Sequence, residues 1–459
     1  MKSSVITKVV ENDLCIGCGL CVALCPHGVL SMRWNHYGEY NPVEVTPCTM
    51  ECGLCLGVCP FTNPEENEDT IGRELYGGVS GIHHRSETGY YLASYVGYSE
   101  NYRLTSASGG MATWILEALL SENVIDRVVC VIPTGDSKRL FDFQIFDTQD
   151  GVCTGAGSAY YPVEMSRVIR QILEVPGRYA ITGLPCFLKA IRLAQKQNKK
   201  LRERVVITVG LTCGQLKSRH FTDYIASLAG VKEEVMAVCC RGKSSDHPAS
   251  NFHYTFITAD CREQRIFWEE GIAEAWTNRW FTLNACNYCD DVFAECADVT
   301  CMDAWLPDYS RDSRGTSLVL VRSPKVQSVI ERGEGVCLDH ISVDQVVKSQ
   351  GGVLTVKWEH LAYRLNLYCK KGKKIPKKRV EPKSEGNPIL RREVFLKEKM
   401  RTESREVWSN NAIDAERLQE IMRPYLWQLT AGRQISKIIT FSIRILQYIQ
   451  GKIRGEYHG

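Results

Sequence analysis

The stretches Cys15-Ile-Gly-Cys18-Gly-Leu-Cys21-Val-Ala-Leu-Cys25-Pro26 and Cys48-Thr-Met-Glu-Cys52-Gly-Leu-Cys55-Leu-Gly-Val-Cys59-Pro60 hold eight of the chain's 21 cysteines. Thiolates at these spacings wrap an iron–sulfur cube, and in paired ladders the cysteine before each proline ligates the other cluster. That assigns Cys15, Cys18, Cys21 and Cys59 to one [4Fe-4S] cluster, and Cys48, Cys52, Cys55 and Cys25 to its neighbour. Two adjacent clusters pass single electrons, so the chemistry is redox. Zinc sites use four ligands, usually as two Cys-x-x-Cys pairs, which two four-cysteine ladders fit poorly. A disulfide framework belongs to small secreted domains, and Met1–Asn12 is polar, without an apolar signal core. The second ladder has one irregularity, an extra residue between Cys48 and Cys52.

Around this module the chain runs to 459 residues, enough for two or three domains. Its 44% hydrophobic and 24% charged residues are ordinary for a soluble globular protein. No apolar run reaches the ~18 residues of a membrane span. Net charge is +3, yet Lys370–Glu403 carries 13 Lys/Arg against five Asp/Glu. Unprotected clusters and abundant thiols suit a reducing cytoplasm, the expected location.

Residues 1–75 read as the cluster module, with the acidic, polar run Asn63–Arg73 as a linker. Beyond it, Val/Ile-rich strands at Val128–Ile132, Tyr179–Thr182, Val205–Leu211 and Ser317–Arg322 alternate with helical periodicity. The helices fall at Met111–Leu120, Val163–Leu173, Phe187–Gln197 and His220–Leu228. The alternation predicts βαβ units and a mainly parallel sheet across 76–360. The fold class is thus a small α+β cluster module, an α/β domain and a helical, basic tail. Residues 361–459 read as a basic linker and a C-terminal amphipathic helix, Gln434–Arg454. There Ile435, Ile438, Ile439, Leu446, Ile449 and Ile453 keep helical spacing among basic residues. Such a helix lies on the inner face of a membrane, on a partner, or on its own domain. The Lys370–Arg379 run can attract acidic donors or phospholipid, although charge runs are usually solvated. Basic charge without aromatic interleaving gives no case for nucleic acid.

Two turns have the makings of phosphate cradles. Ser106-Ala-Ser-Gly-Gly110 runs into the helix beginning near Met111, and Thr154-Gly-Ala-Gly-Ser158 precedes the one beginning near Val163. Small residues let backbone amides approach an anion, and a helix N-terminus adds its dipole. Ordinary turns and caps look the same. Cys186 follows the strand Tyr179–Thr182, and Cys213 ends near Val205–Leu211. In a parallel sheet both emerge at the carboxyl edge, where such folds place ligands. Cys286-Asn-Tyr-Cys289 can add two thiolates there; the alternative is that Cys186 and Cys213 are small buried hydrophobes. The other nine cysteines lack ligand spacing. His27, His83 and His84 are available as proton donors, although lone histidines are more often structural. Arg241 and Lys243 can steer an anionic substrate or simply face solvent.

Taken in order, these stretches resemble the family of coenzyme F420 hydrogenase/dehydrogenase beta subunits over roughly residues 10–360. The resemblance rests on the double ladder, Ser108-Gly-Gly110, Ala156-Gly-Ser158-Ala-Tyr160, Thr182-Gly-Leu-Pro-Cys186 and Leu211-Thr-Cys-Gly214. It continues through Cys286-Asn-Tyr-Cys-Asp290, Ala297-Asp298, Asp303-Ala-Trp305 and Gly315–Arg322. It implies a ferredoxin-like module, then an FAD domain with an N-terminal part at about 90–165 and a C-terminal part at 166–360. It further implies a third [4Fe-4S] cluster on Cys186, Cys213, Cys286 and Cys289. Ser108, Gly109, Gly110, Gly157 and Ser158 become the flavin contacts, and coenzyme F420 or another small-molecule hydride acceptor the substrate. The donor is a ferredoxin-type protein or a redox partner subunit. Three functions follow: a flavin-dependent iron–sulfur oxidoreductase, a non-catalytic electron-transfer subunit, and, more remotely, an iron–sulfur scaffold or sensor. Met302-Asp303 stands where the family tends to have Gly-Asp, and the tail beyond 370 has no counterpart.

Overall fold

Val128, Val129, Ala180, Ile181, Ile207 and Val209 are all buried, in runs apolar on both faces. Such runs belong to strands covered by helices on each side. The computed structural model describes residues 3–50, 52–62, 65–373 and 375–453, with side chains to residue 434. It builds these runs into an eight-stranded sheet of β1 (Ala93–Ser99), β2 (Arg127–Asp136), β3 (Arg139–Phe146), β4 (Tyr179–Gly183), β5 (Val205–Leu211), β6 (Val299–Asp303), β7 (Ser317–Val321) and β8 (Val336–His340). Their spatial order is β8-β1-β7-β6-β5-β4-β2-β3. The central block β2-β4-β5-β6 is parallel. Both flanks close with antiparallel pairs, β2/β3 on one side and β6/β7, β7/β1 and β1/β8 on the other. The parallel sheet expected from the alternation is therefore the centre of a mixed one.

Pleat alternation sends neighbouring residues to opposite cores. Tyr179 and Ile181 face one, Ala180 the other. The face of Ala180 is covered by Met111–Ser121, through Met111, Trp114 and Ile115. The face of Ile181 is covered by Ser166–Glu174 and Pro185–Gln197.

That second core changes the picture of the cluster module. Ile16, Cys18, Leu20, Leu24 and Val58 pack in it beside Met165, Ile169, Phe187 and Ile191. The module has a small core of its own around Val5, Val22 and Val29 and shares the sheet's. The expected linker is also not one. Glu68–Tyr76 is a helix capped by the Asn67 side chain, with Ile71 and Tyr76 buried. Its Glu68 is buried against Lys189 at 3.2 Å. Of the acidic residues that make this stretch look solvated, Glu68 is paired inside, while Asp69 stays half-exposed.

The tail departs from expectation in the same way. The basic stretch between Lys370 and Pro388 carries no helix or strand among its described residues, but it is bounded by helices at Glu359–Lys370 and Pro388–Asn410, and a further helix at Ala415–Ile453 starts well before Gln434. Leu396, Met400, Leu418 and Met422 join a core with Phe221, Tyr224 and Trp280. Arg405 reaches the module, pairing with Asp13 at 2.9 Å and Glu39 at 2.9 Å. The side chains of the amphipathic stretch from Ile435 onward lie outside the described residues. Among the described residues, no helix is long and apolar enough to cross a membrane.

Candidate redox site

Short helices at Leu20–Ala23 and Leu54–Gly57 each follow a left-handed glycine, Gly19 and Gly53. Cys15, Cys18, Cys21 and Cys59 stand close enough to raise one another's thiol pKa, with burial the larger cause. Cys18 is pushed up to about 12 and Cys59 to about 11. Gly17 N donates to Cys15 Sγ at 3.4 Å. Cys55 feels Cys52 and Cys48 in turn. Cys25, Cys48 and Cys55 pack around the same small core of Val5, Val22 and Val29. The extra residue before Cys52 therefore does not carry Cys48 away from its partners.

The third quartet also assembles. Gly183 and Gly210 are paired in the parallel register of β4 and β5. The chain leaves both strands at one edge, bringing Cys186 and Cys213 side by side. The one-turn helix Asn284–Tyr288 supplies Cys286, and Cys289 follows it. Burial raises Cys186 well above the usual thiol value, followed by the charges of Cys289, Cys213 and Cys286. Leu216 N donates to Cys286 Sγ at 3.2 Å, and Lys357 Nζ to Cys289 Sγ at 3.1 Å.

Buried thiols crowded in this way are poor free thiolates and good ligands for a cationic iron cluster, whose sulfurs favour such N–H donors. Among the described residues, no three Cys, His, Asp or Glu side chains gather tightly enough for a single metal ion. The quartets also share surroundings. Cys52, in the second ladder, is exposed. Cys21 feels Cys55 of that ladder. Cys18, Cys21, Cys186 and Cys286 pack against one common core.

Beyond the third quartet lie the two turns. Gly110, at φ 82°, caps Met111–Ser121 in the left-handed region, which leaves the first-turn amides of that helix without intrahelical acceptors. Ser108 Oγ donates to Thr316 O at 2.8 Å, and Gly109 N to Ser317 Oγ at 3.0 Å. Those two groups are used by the sheet, and a Cβ on Gly109 would meet Gly97 O at 2.6 Å. Gly157 has φ +123° and open space where a Cβ would sit. The helix expected near Val163 begins at Ser166, because Tyr161 to Met165 first cross the core edge as coil. The turn carrying Gly157 and Ser158 is thus a free loop and does not cap that helix.

Arg241, read from sequence as steering an anionic substrate or facing solvent, ties this region together. It is buried and clamps Asp303 with both nitrogens, at 2.9 and 3.1 Å. The same guanidinium donates to Tyr160 Oη and Ala107 O, each at 3.3 Å. It thereby links both turns to the carboxyl end of β6. Lys243 Nζ donates to Ser108 O at 2.7 Å and Arg314 O at 2.6 Å. Neither cation is a free anion receptor. His27, His83 and His84 are exposed, away from these contacts.

Sequence reasoning missed Lys357, Arg279, Lys378, Arg379 and the acidic group Glu68, Asp290 and Glu295. Lys378 lies 3.0 Å from Asp290, and Arg379 lies 2.7 Å from Glu295. The one available signal for Lys357 was a single charge between Val356 and Trp358.

With the ladders, the third quartet and the turns in place, comparison with known proteins decides the family. Residues 94–170 match the family model for the N-terminal part of the coenzyme F420 hydrogenase/dehydrogenase beta subunit, and 177–338 match the model for its C-terminal part. The chain belongs to the family of coenzyme F420 hydrogenase/dehydrogenase beta subunits. Residues 14–63 match a 4Fe-4S dicluster domain. Family membership and this domain together make iron–sulfur redox chemistry the chain's class. A curated relative, one of the subunits of the F(420)H(2) dehydrogenase of Methanosarcina mazei, is 23% identical over 216 residues. The match takes in 45% of this chain and spans about half of that relative, 55% of its length. A solved chain of the F420-reducing [NiFe] hydrogenase complex from Methanosarcina barkeri is 16% identical, with a TM-score of 0.48. That match covers 64% of this chain and 99% of the solved one.

Proposed function

We propose that this F420 hydrogenase/dehydrogenase family member is an iron–sulfur flavoprotein oxidoreductase. It connects a one-electron donor, a ferredoxin-type protein or a partner subunit, to a small-molecule hydride acceptor such as coenzyme F420. What supports this reading is three groups of thiols, one reaching the surface at Cys52 and one at the carboxyl ends of β4 and β5. When bound, the clusters supply single-electron transfer and FAD supplies the exchange between one- and two-electron steps.

The chain's own part is positioning. Cys15, Cys18, Cys21 and Cys59 hold one cluster, Cys25, Cys48, Cys52 and Cys55 the outer one, and Cys186, Cys213, Cys286 and Cys289 the third. Gly110 and the first turn of Met111–Ser121 offer amides to a flavin phosphate. Ser108 and Gly109 shape that turn through their bonds to Thr316 and Ser317, and Gly157 and Ser158 approach from the facing loop. Arg241 keeps the two turns in register by holding Tyr160 and Ala107 from Asp303. Buried Phe187 and Leu188 belong to the apolar core that Cys18 and Cys186 share. Thiols kept free for iron suit the cytoplasm.

The test is anaerobic reduction of the purified chain with dithionite, followed by addition of oxidised F420 and, separately, of other hydride acceptors. Reoxidation of bound flavin by F420 in step with F420 bleaching supports the reading. A chain that binds no flavin after reconstitution refutes it.

A further inference from the structure

We propose that Lys357 is a positioning residue that sets the reduction potential of the third cluster. On this proposal it holds that potential above the potential of the cluster on Cys15, Cys18, Cys21 and Cys59. The inference rests on the functional reading above and adds a direction, with electrons settling at the flavin end.

Lys357 closes the helix Gly351–Lys357 and is 3% exposed. Its Nζ lies 3.1 Å from Cys289 Sγ and also donates to Asp291 O. The next residue fixes it there, since Trp358 Nε1 donates to Asp290 O at 3.1 Å. Other cations stand around the quartet. Lys378 is buried 3.0 Å from Asp290, and Arg279, 4% exposed, is held by Asn287 Oδ1 at 2.9 Å next to Cys286. The carboxylates nearby are already engaged. Asp290 takes Lys378 and the Arg379 backbone, while Asp291 accepts Glu295 N at 3.1 Å.

The first quartet lacks such a donor. Buried Glu39 and Glu164 are charged neighbours, and a Cβ on Gly19 would lie 2.5 Å from Glu164 Oε2. Glu39 is paired with Arg405 at 2.9 Å and Lys189 with Glu68, and among the described residues no ammonium or guanidinium donates to a thiol of this quartet. Reduction of a cluster takes one electron from the preceding cluster, breaks no bond and moves no proton. It adds one negative charge to a group already ligated by four thiolates. A fixed ammonium against one of those thiolates in a dry site stabilises that added charge, and buried carboxylates oppose it. Direct N–H donation to a ligating sulfur acts in the same sense.

The test is a redox titration of the anaerobically purified holoprotein, followed by electron paramagnetic resonance, for the wild type, Lys357→Met and Lys357→Arg. In Lys357→Met one of three midpoints falls while the other two stay, and Lys357→Arg keeps the wild-type value. Three unchanged midpoints, or an equal shift of all three, overturn the proposal. If Lys357→Met fails to retain the third cluster, Lys378→Met takes its place: a smaller fall of the same midpoint supports the proposal, and no fall overturns it. Iron for only two clusters in the wild type would instead sink the functional reading, which the iron count shows before any titration.

Discussion

Replacing Arg379 by Met tests whether the basic run is an internal strap. Arg379 holds Glu295 through both terminal nitrogens, each at 2.7 Å, and Asp69 at 3.0 Å. Glu295 is 2% exposed, so the substitution strands a carboxylate away from water. Removing one member of a buried pair costs ~3–5 kcal/mol, chiefly because the other charge stays unpaired. Extending the size scaling to a chain this long, each kcal/mol moves the thermal midpoint by roughly 1–2 °C. Arg379→Met should therefore unfold ~3–10 °C earlier in anaerobic calorimetry of the holoprotein. Lys377→Met is the control, because Lys377 is 67% exposed and its nearest carboxylate stands 3.7 Å away. That variant should stay within ~1 °C of wild type, as surface pairs contribute ~0–1 kcal/mol. Adding Glu295→Gln to Arg379→Met removes the stranded charge and should recover ~1–3 kcal/mol. An Arg379→Met midpoint equal to that of Lys377→Met, or no recovery in the double variant, would refute the buried-strap account.

Cys213→Ala should remove about a third of the iron and leave the ladder clusters' signals intact, read by iron assay and low-temperature resonance. Gly110→Ala forces a left-handed φ of 82° on a residue whose Cβ would sit 2.7 Å from Tyr102 C, so flavin content should fall in the purified protein. His220 and His360 are each pushed down to about 4, mainly by burial. Because the unfolded chain takes up those protons below about pH 6.5, stability falls as pH drops from 6.5 towards 4. A His220→Gln/His360→Gln double variant should lose less of its thermal midpoint between pH 7 and 5 than wild type does.

The sequence made the thiol ligands legible because cluster ligation is local: the spacing of Cys15, Cys18 and Cys21 is itself the chemistry. It also placed Cys186 and Cys213 at one edge, since a parallel strand carries its direction in its apolar run. Val205–Leu211 matches the observed strand end for end. What stayed hidden was every pairing made over long separations. Asn63–Arg73 and Lys370–Arg379 each look solvated when read alone; Glu68, Lys378 and Arg379 nevertheless turn their side chains inward, because Glu68, Lys189, Asp290, Glu295 and Arg379 neutralise one another. Arg241 was misread for the same reason, since its partner Asp303 lies 62 residues away. The antiparallel flanks were invisible because strand order depends on connections, not on composition.

The central claim is that the ladders are the entrance to a third cluster and a flavin. The most direct measurement is iron, acid-labile sulfide and extracted flavin per chain after anaerobic reconstitution. The account predicts about twelve iron atoms and one FAD. About eight iron atoms with no flavin, in a chain whose thermal midpoint shows it to be folded, would contradict it.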